Sequence, residues 1–250
     1  MITYIQLYCL VIMKKHTCYD SSLDKEYFNK FTDVYSPYHS SDLVTIIKKI
    51  TELIENSSSC WACEVGSADG QFSRTLEAEV PGKLNLVGLD IADKILKKYP
   101  FNKICGSAFQ LPLANQSLGL ILFPASFHHL SPFPEMLAEV ERVLAPGGLV
   151  YFLEPNYFHP HRRFFMTQKK IYQLYRQAND VPVNPEILKS QLSNIRIRTI
   201  YFRYLNIRFR KPGPLQKIQN ILARIPWPQK IHRFIMPWFI LIGRKEDTPK

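Results

Sequence analysis

Between residues 57 and 156, short apolar runs alternate with stretches of helical periodicity, and this alternation constrains the fold of the 250-residue chain more than any other feature. Runs at 61–65, 84–89, 102–105, 118–123 and 149–153 have the length and composition of buried strands. Segments 70–79, 91–99 and 134–144 space their apolar residues as helices do. Strands joined through helices run parallel, because a crossover returns the chain to the same end of the sheet. A parallel sheet needs cover on both faces, so an α/β, doubly wound, mostly parallel sheet is expected. Ahead of it, 23–56 reads as helical, with Leu43, Ile46, Ile47, Ile50, Leu53 and Ile54 in helical register behind a cap at Ser41 or Asp42. Beyond residue 156, helices are expected at 163–178, 185–193 and 214–225, and strands at 195–204 and 238–242. Three segments follow: a helical lead (1–56), a core (57–156) and a cap (157–250) that also contributes the last strands.

Charge divides the chain at the same boundary. Residues 1–156 carry 13 Lys+Arg against 17 Asp+Glu, whereas residues 157–250 carry 19 against 4. The last third is therefore built to meet something anionic, such as a membrane surface, a phosphorylated substrate or nucleic acid. The apolar stretch at 2–13 is interrupted by Thr3 and Gln6 and is too short to cross a bilayer. Lys14 and Lys15 follow it, where a secretory signal would place charge in front. Met13-Lys14-Lys15 also reads as a start, which leaves 1–12 outside the fold. Five cysteines without framework spacing fit a reducing, cytoplasmic compartment. Cys60 and Cys63 form a CxxC that lacks a second pair for zinc and runs into a strand, so both are expected as small apolar residues buried in that strand.

The segment Glu64-Val65-Gly66-Ser67-Ala68-Asp69-Gly70 follows the first strand and opens a helix. Glycines there let the backbone turn sharply and let a ligand approach the main chain. Asp90 ends the next strand, where a carboxylate can hold ribose hydroxyls. A dinucleotide loop wants its third glycine five positions after its first, but Gln71 stands there.

With Glu64 two residues ahead of Gly66, the loop instead resembles E/D-x-G-x-G-x-G, the first motif of class I S-adenosylmethionine-dependent methyltransferases, Ala68 standing at the middle glycine. Three further segments match that family in order and spacing. Gly106-Ser107-Ala108 with Leu111-Pro112-Leu113 resembles G-D-A-x-x-L-P-F. The stretch from Ser117 to Leu130, ending in His128-His129-Leu130, resembles S-F-D-x-V…L-H-H-L. The stretch from Glu139 through Arg142 to Pro146-Gly147-Gly148 resembles E-x-x-R-V-L-K-P-G-G-x-L. The nearest subgroup is the type 11, quinone-biosynthesis-like methyltransferases of small molecules and lipids. The resemblance implies a Rossmann-like, seven-stranded sheet with an antiparallel last strand and a helical C-terminal cap. It implies S-adenosyl-L-methionine as cofactor, with Glu64 orienting the loop and reaching the methionine amino group. Gly66, Ser67, Ala68 and Gly70 would give close backbone passage, Asp90 and Ile91 would lie at the ribose, and Ser107 and Ala108 at the adenine edge. Ser107 replaces the family's acid and Gly119 an Asp of the fourth strand, which keeps open a noncatalytic binding protein of the same fold. An NAD-dependent oxidoreductase is the remaining alternative.

A general base is best supplied by histidine, and His128 and His129 follow the fourth strand where an acceptor pocket opens. Either is a candidate catalytic base, or the pair only positions a turn. Tyr27, Tyr35 and His39 are candidates to close over the site, and His159 and His161 read as a loop rather than a metal pair. No base-amine motif follows the fourth strand and no nucleophilic Cys lies near it, which argues against nucleic acid as substrate. Leu215, Ile218, Ile221, Leu222 and Ile225 share one helical face, with Lys217 and Arg224 off it. That helix is an interfacial element at an anionic membrane, on the inner surface, or a lid over a greasy acceptor, or an ordinary helix packed on its own sheet. The expected acceptor is a small or lipid-like molecule.

Overall fold

The computed structural model describes residues 59–167, 183–207 and 214–247, with Lys25, Glu26, Asn29, Val44, Ile47, Lys48, Ile50, Glu52, Leu53, Ile54 and Val181. Tyr27, Tyr35, His39, the cap at Ser41 or Asp42, Leu215's side chain and residues 168–178 lie outside what is described. Seven strands form one sheet: β1 (Trp61–Val65), β2 (Asn85–Asp90), β3 (Asn102–Cys105), β4 (Leu118–Pro124), β5 (Leu144–Pro155), β6 (Ile197–Leu205) and β7 (Trp238–Lys245). Their order is β3-β2-β1-β4-β5-β7-β6. The first five pair parallel, and β7 runs antiparallel to both β5 and β6. The strands from residues 157–250 thus complete the sheet begun by the core.

Helices α1 (Gln71–Glu79), α2 (Asp93–Leu96), α3 (Phe133–Val143), α4 (Pro160–Thr167), α5 (Pro185–Asn194), α6 (Pro214–Leu222) and α7 (Gln229–Ile235) connect the strands. Alternate side chains of a strand point to opposite faces. Leu120 and Leu122 accordingly join Ile47, Ile50, Phe72 and Leu76 on one side, while Ile121 and Phe123 join Met136, Val140, Leu188 and Leu192 on the other. The expected helix at 91–99 shrinks to the single turn α2, which Asp90 and Ala92 introduce. Pro146-Gly147-Gly148 does not precede β5 but forms a bulge within it, where the register against β4 shifts between Leu118 and Leu120. Only Cys63 of the CxxC is a buried strand residue; Cys60 precedes β1 and is exposed. Burial pushes the Cys63 thiol up to about 12, so it is no thiolate nucleophile.

Candidate active site

Parallel strands of an open sheet deliver their loops to one end, and the sites are built there. At that end the glycine loop leaves β1 and folds over β2. The backbone N–H groups of Gly66 and Ser67 donate to Leu89 O at 2.8 and 3.2 Å, and Gly70 N–H donates to Ser67 O at 2.8 Å. Three residues take positive φ to make this path: Gly66 (70°), Ala68 (45°) and Gly70 (78°). A Cβ on Gly66 would stand 2.6 Å from Ser126 Cβ, and one on Gly70 would stand 2.6 Å from Tyr99 Cδ2. Both glycines are thus required by conformation and by space. Ser126 Oγ donates to Val65 O at 2.6 Å, which locks the segment after β4 against the loop.

Asp90 closes the loop from the side of β2. Its Oδ2 accepts from Ala68 N–H and its Oδ1 from Ala92 N–H, both at 2.8 Å, and the residue is 8% exposed. Ile91, next in the chain, is half-buried. Gly106 N–H donates to the Asp90 backbone carbonyl at 3.0 Å, so the Gly106–Ala108 segment after β3 is fastened beside the carboxylate. There Ala108 is buried and Ser107 Oγ accepts from Phe109 N–H at 3.2 Å.

Two of the expected site side chains are buried. Glu64 sits beneath the loop rather than at its rim. Its Oε2 accepts from Ser73 N–H at 3.2 Å and from the Ser73 hydroxyl at 2.5 Å, and Ser73 Oγ lies 2.6 Å from the Tyr99 hydroxyl. The first turn of α1 thus captures the side chain that was expected at the methionine amino group. Burial pushes the Glu64 carboxyl up to about 8; the Ser73 hydrogen bonds oppose the shift, and Asp69 and Asp90 add to it. Ser67 is 2% exposed, and its hydroxyl has no hydrogen bond among the described residues. That hydroxyl lies 2.7 Å from where a Cβ on Gly88 would stand, so Ser67 is turned toward β2.

The E-x-x-R segment acts as a clamp. Arg142 donates to Leu111 O and Leu113 O at 2.8 Å and to both Glu139 oxygens at 2.7 Å, while Leu111 N–H donates to Glu139 Oε2 at 2.7 Å. It holds the loop that follows Ala108.

Beyond β4, a 3-10 turn at Phe127–His129 carries both candidate histidines. His128 Nδ1 lies 2.6 Å from Glu154 Oε2, and Phe127 N–H donates to Glu154 Oε1 at 2.8 Å. Glu154 is fully buried, and burial pushes its carboxyl up while Phe127 N–H, His129 and Arg162 pull it down. The His129 ring lies on the His128 ring with centroids 4.1 Å apart. Glu154 was passed over as a functional residue. The signal for it is a carboxylate at the carboxyl end of a wholly apolar strand, a place where a charge needs a partner. His159 Nε2 pairs with Gln219 Oε1 at 3.0 Å, and no group of three His, Cys, Asp or Glu among the described residues is placed to hold a metal.

Known proteins resemble this chain in sequence and in fold. Residues 63–152 match the model of the family described as "Methyltransferase domain". The chain is 35% identical over 89 residues to malonyl-[acyl-carrier protein] O-methyltransferase 1 of Coxiella burnetii, covering 36% of this chain and 31% of that protein. It is 27% identical over 139 residues to demethylmenaquinone methyltransferase of Chlorobaculum parvum, covering 53% and 54% respectively. The chain thus spans between a third and about half of the length of these relatives. Among solved structures, a S-adenosylmethionine-dependent methyltransferase from Archaeoglobus fulgidus superposes with a TM-score of 0.60 at 14% identity, over 83% of this chain and 95% of that one. Geranyl diphosphate C-methyltransferase from Streptomyces coelicolor A3(2), solved with Mg2+, geranyl diphosphate and S-adenosyl-L-homocysteine, superposes with a TM-score of 0.64 at 11% identity, over 92% and 98%. The sheet order, the glycine loop and Asp90 define a Rossmann-like methyltransferase fold. Residues 63–152 are similar to a methyltransferase domain, and the chain shares the fold of solved S-adenosylmethionine-dependent methyltransferases.

Proposed function

We propose that this chain is a S-adenosyl-L-methionine-dependent methyltransferase that acts on a small-molecule or lipid-like acceptor by in-line methyl transfer. The observation that carries this reading is the junction of the glycine loop with Asp90, 2.8 Å apart at the carboxyl ends of adjacent parallel strands. The residues present fit the cofactor. Asp90 is an acceptor-only group placed for a vicinal diol. Gly66–Gly70 offers backbone without side chains at its two tightest points, and Ser107 and Ala108 make a small rim beside Asp90. When bound, the sulfonium supplies an electrophilic methyl group. The protein's part is to hold the loop and to take up a proton near the turn at Phe127–His129. Of the relatives named above, one is by name a methyltransferase of malonyl-[acyl-carrier protein] and the other of demethylmenaquinone, and the apolar cap of this chain suits an acceptor of the second kind.

Calorimetry with S-adenosylmethionine and with NAD tests the reading. Binding of the first alone is expected. NAD binding would install the oxidoreductase, and no binding of either would leave a noncatalytic protein of this fold.

The cap also supports placement at an anionic membrane surface in the cytoplasm. Ile218 (56% exposed), Ile221 (63%), Ile225, Ile231, Phe234 and Phe164 all face outward from α4, α6, α7 and their junctions. No acidic residue occurs between Glu186 and Glu246, while Lys217, Arg224, Lys230 and Arg233 flank these apolar side chains. No helix among the described residues is long and apolar enough to cross a membrane. Apolar area with flanking cations suits an interfacial docking face. The chain is expected to float with vesicles of phosphatidylglycerol and phosphatidylcholine at low salt, to release at high salt, and to lose binding on Ile221→Asp. Flotation that ignores both salt and the substitution would refute the docking face.

A further inference from the structure

Glu154 is spent neither on the glycine loop nor on the sheet's core, and it is held from two directions. Its backbone lies in the β5–β7 ladder opposite Phe239, and its Oε1 is fixed by Phe127 N–H at 2.8 Å. His128 is held in turn through its own carbonyl, which accepts from Val181 N–H at 2.8 Å. We propose that Glu154 is the positioning residue that fixes the proton of neutral His128 on Nδ1, so that Nε2 is the atom that takes up the proton of the acceptor. The second half of this proposal rests on the methyl-transfer reading; the first half stands without it.

An ionised carboxylate only accepts hydrogen bonds, so the ring nitrogen 2.6 Å from Oε2 is the one that carries hydrogen. The neutral imidazole then keeps its lone pair on Nε2. In the proton-transfer step the acceptor–H bond breaks, its electron pair stays on the acceptor atom, and the proton binds Nε2. The imidazolium so formed lies against the Glu154 anion, which burial had left poorly solvated, and each charge offsets the other. The other charged or titratable groups that face the pair are His129, Arg162 and Tyr151. His129 and Arg162 favour the Glu154 anion. Burial pushes the Glu154 carboxyl up, so the ionised form that orients His128 gains ground as the pH rises.

Histidine 15N resonances report the tautomer directly and need no catalysis. On the full chain at pH 9, with the His128 signal assigned by its loss in His128→Gln, the Nδ1–H form is expected. Glu154→Gln should abolish that preference, lower kcat about 100-fold, and leave the affinity for S-adenosylmethionine unchanged. An Nε2–H tautomer in the unaltered chain overturns the proposal, and that measurement decides even if Glu154→Gln fails to fold. An unchanged tautomer and pH profile in a folded Glu154→Gln overturns it equally. Failure of S-adenosylmethionine to bind would instead refute the functional reading and leave the tautomer standing.

Discussion

Replacing Glu64 by Gln is expected to make the chain progressively more stable than its parent as the pH is raised from 5 to 9. The carboxyl is buried beneath the glycine loop and pushed up to about 8, whereas in the unfolded chain it titrates near 4.3, the ordinary glutamate value. Between those two values the folded protein binds a proton that the unfolded chain has released. The contribution of Glu64 to stability is therefore complete below the unfolded value and is lost as pH climbs toward the folded one. The slope for one such group is about 1.4 kcal/mol per pH unit. Gln cannot ionise, and its amide oxygen can still accept from Ser73, so the variant lacks this slope. Urea denaturation at each pH measures the difference. A difference that stays flat from pH 5 to 9 would mean that Glu64 ionises in the folded chain at an ordinary pKa.

The same residue shows where reading the sequence succeeds and where it stops. Periodicity located every strand of the sheet, because burial on both faces leaves runs such as 118–123 wholly apolar. Motif spacing located the glycine loop and Asp90, because the turn and the strand end tolerate few residue types. What the linear chain hides is which way a side chain turns. Glu64 and Ser67 lie in the motif yet point under the loop, since Ser73, nine residues on, and Gly88, on the neighbouring strand, take up their positions. Glu154 is 26 residues from His128, and only the pairing of β4 with β5 brings the two together. The bulge at Gly147 is hidden in the sequence because glycine and proline mark turns and bulges alike, and only the register against β4 tells them apart.

Asp90→Ala is expected to weaken binding of S-adenosylmethionine by about 1–3 kcal/mol, a loss of roughly 5- to 150-fold. The carboxylate has two tasks. It satisfies the backbone N–H groups of Ala68 and Ala92, each at 2.8 Å, and through the first it sets the left-handed turn at Ala68. It also retains acceptor capacity, since each carboxylate oxygen can receive more than one hydrogen bond, and ribose hydroxyls are donors of the matching kind. Alanine removes both functions, so the loop loses its anchor as the ligand loses its acceptor. Asp90→Asn separates them. Its single side-chain oxygen can keep one of the two backbone bonds, but the amide presents hydrogen where the second bond and a ribose hydroxyl need an acceptor. Calorimetry gives the affinity of each variant, and denaturation without ligand gives the cost to the loop. If Asn restores stability but not affinity, Asp90 holds the ribose directly. If affinity follows stability through both variants, Asp90 acts by shaping the loop, and the cofactor is held by the backbone that Gly66 and Gly70 leave bare.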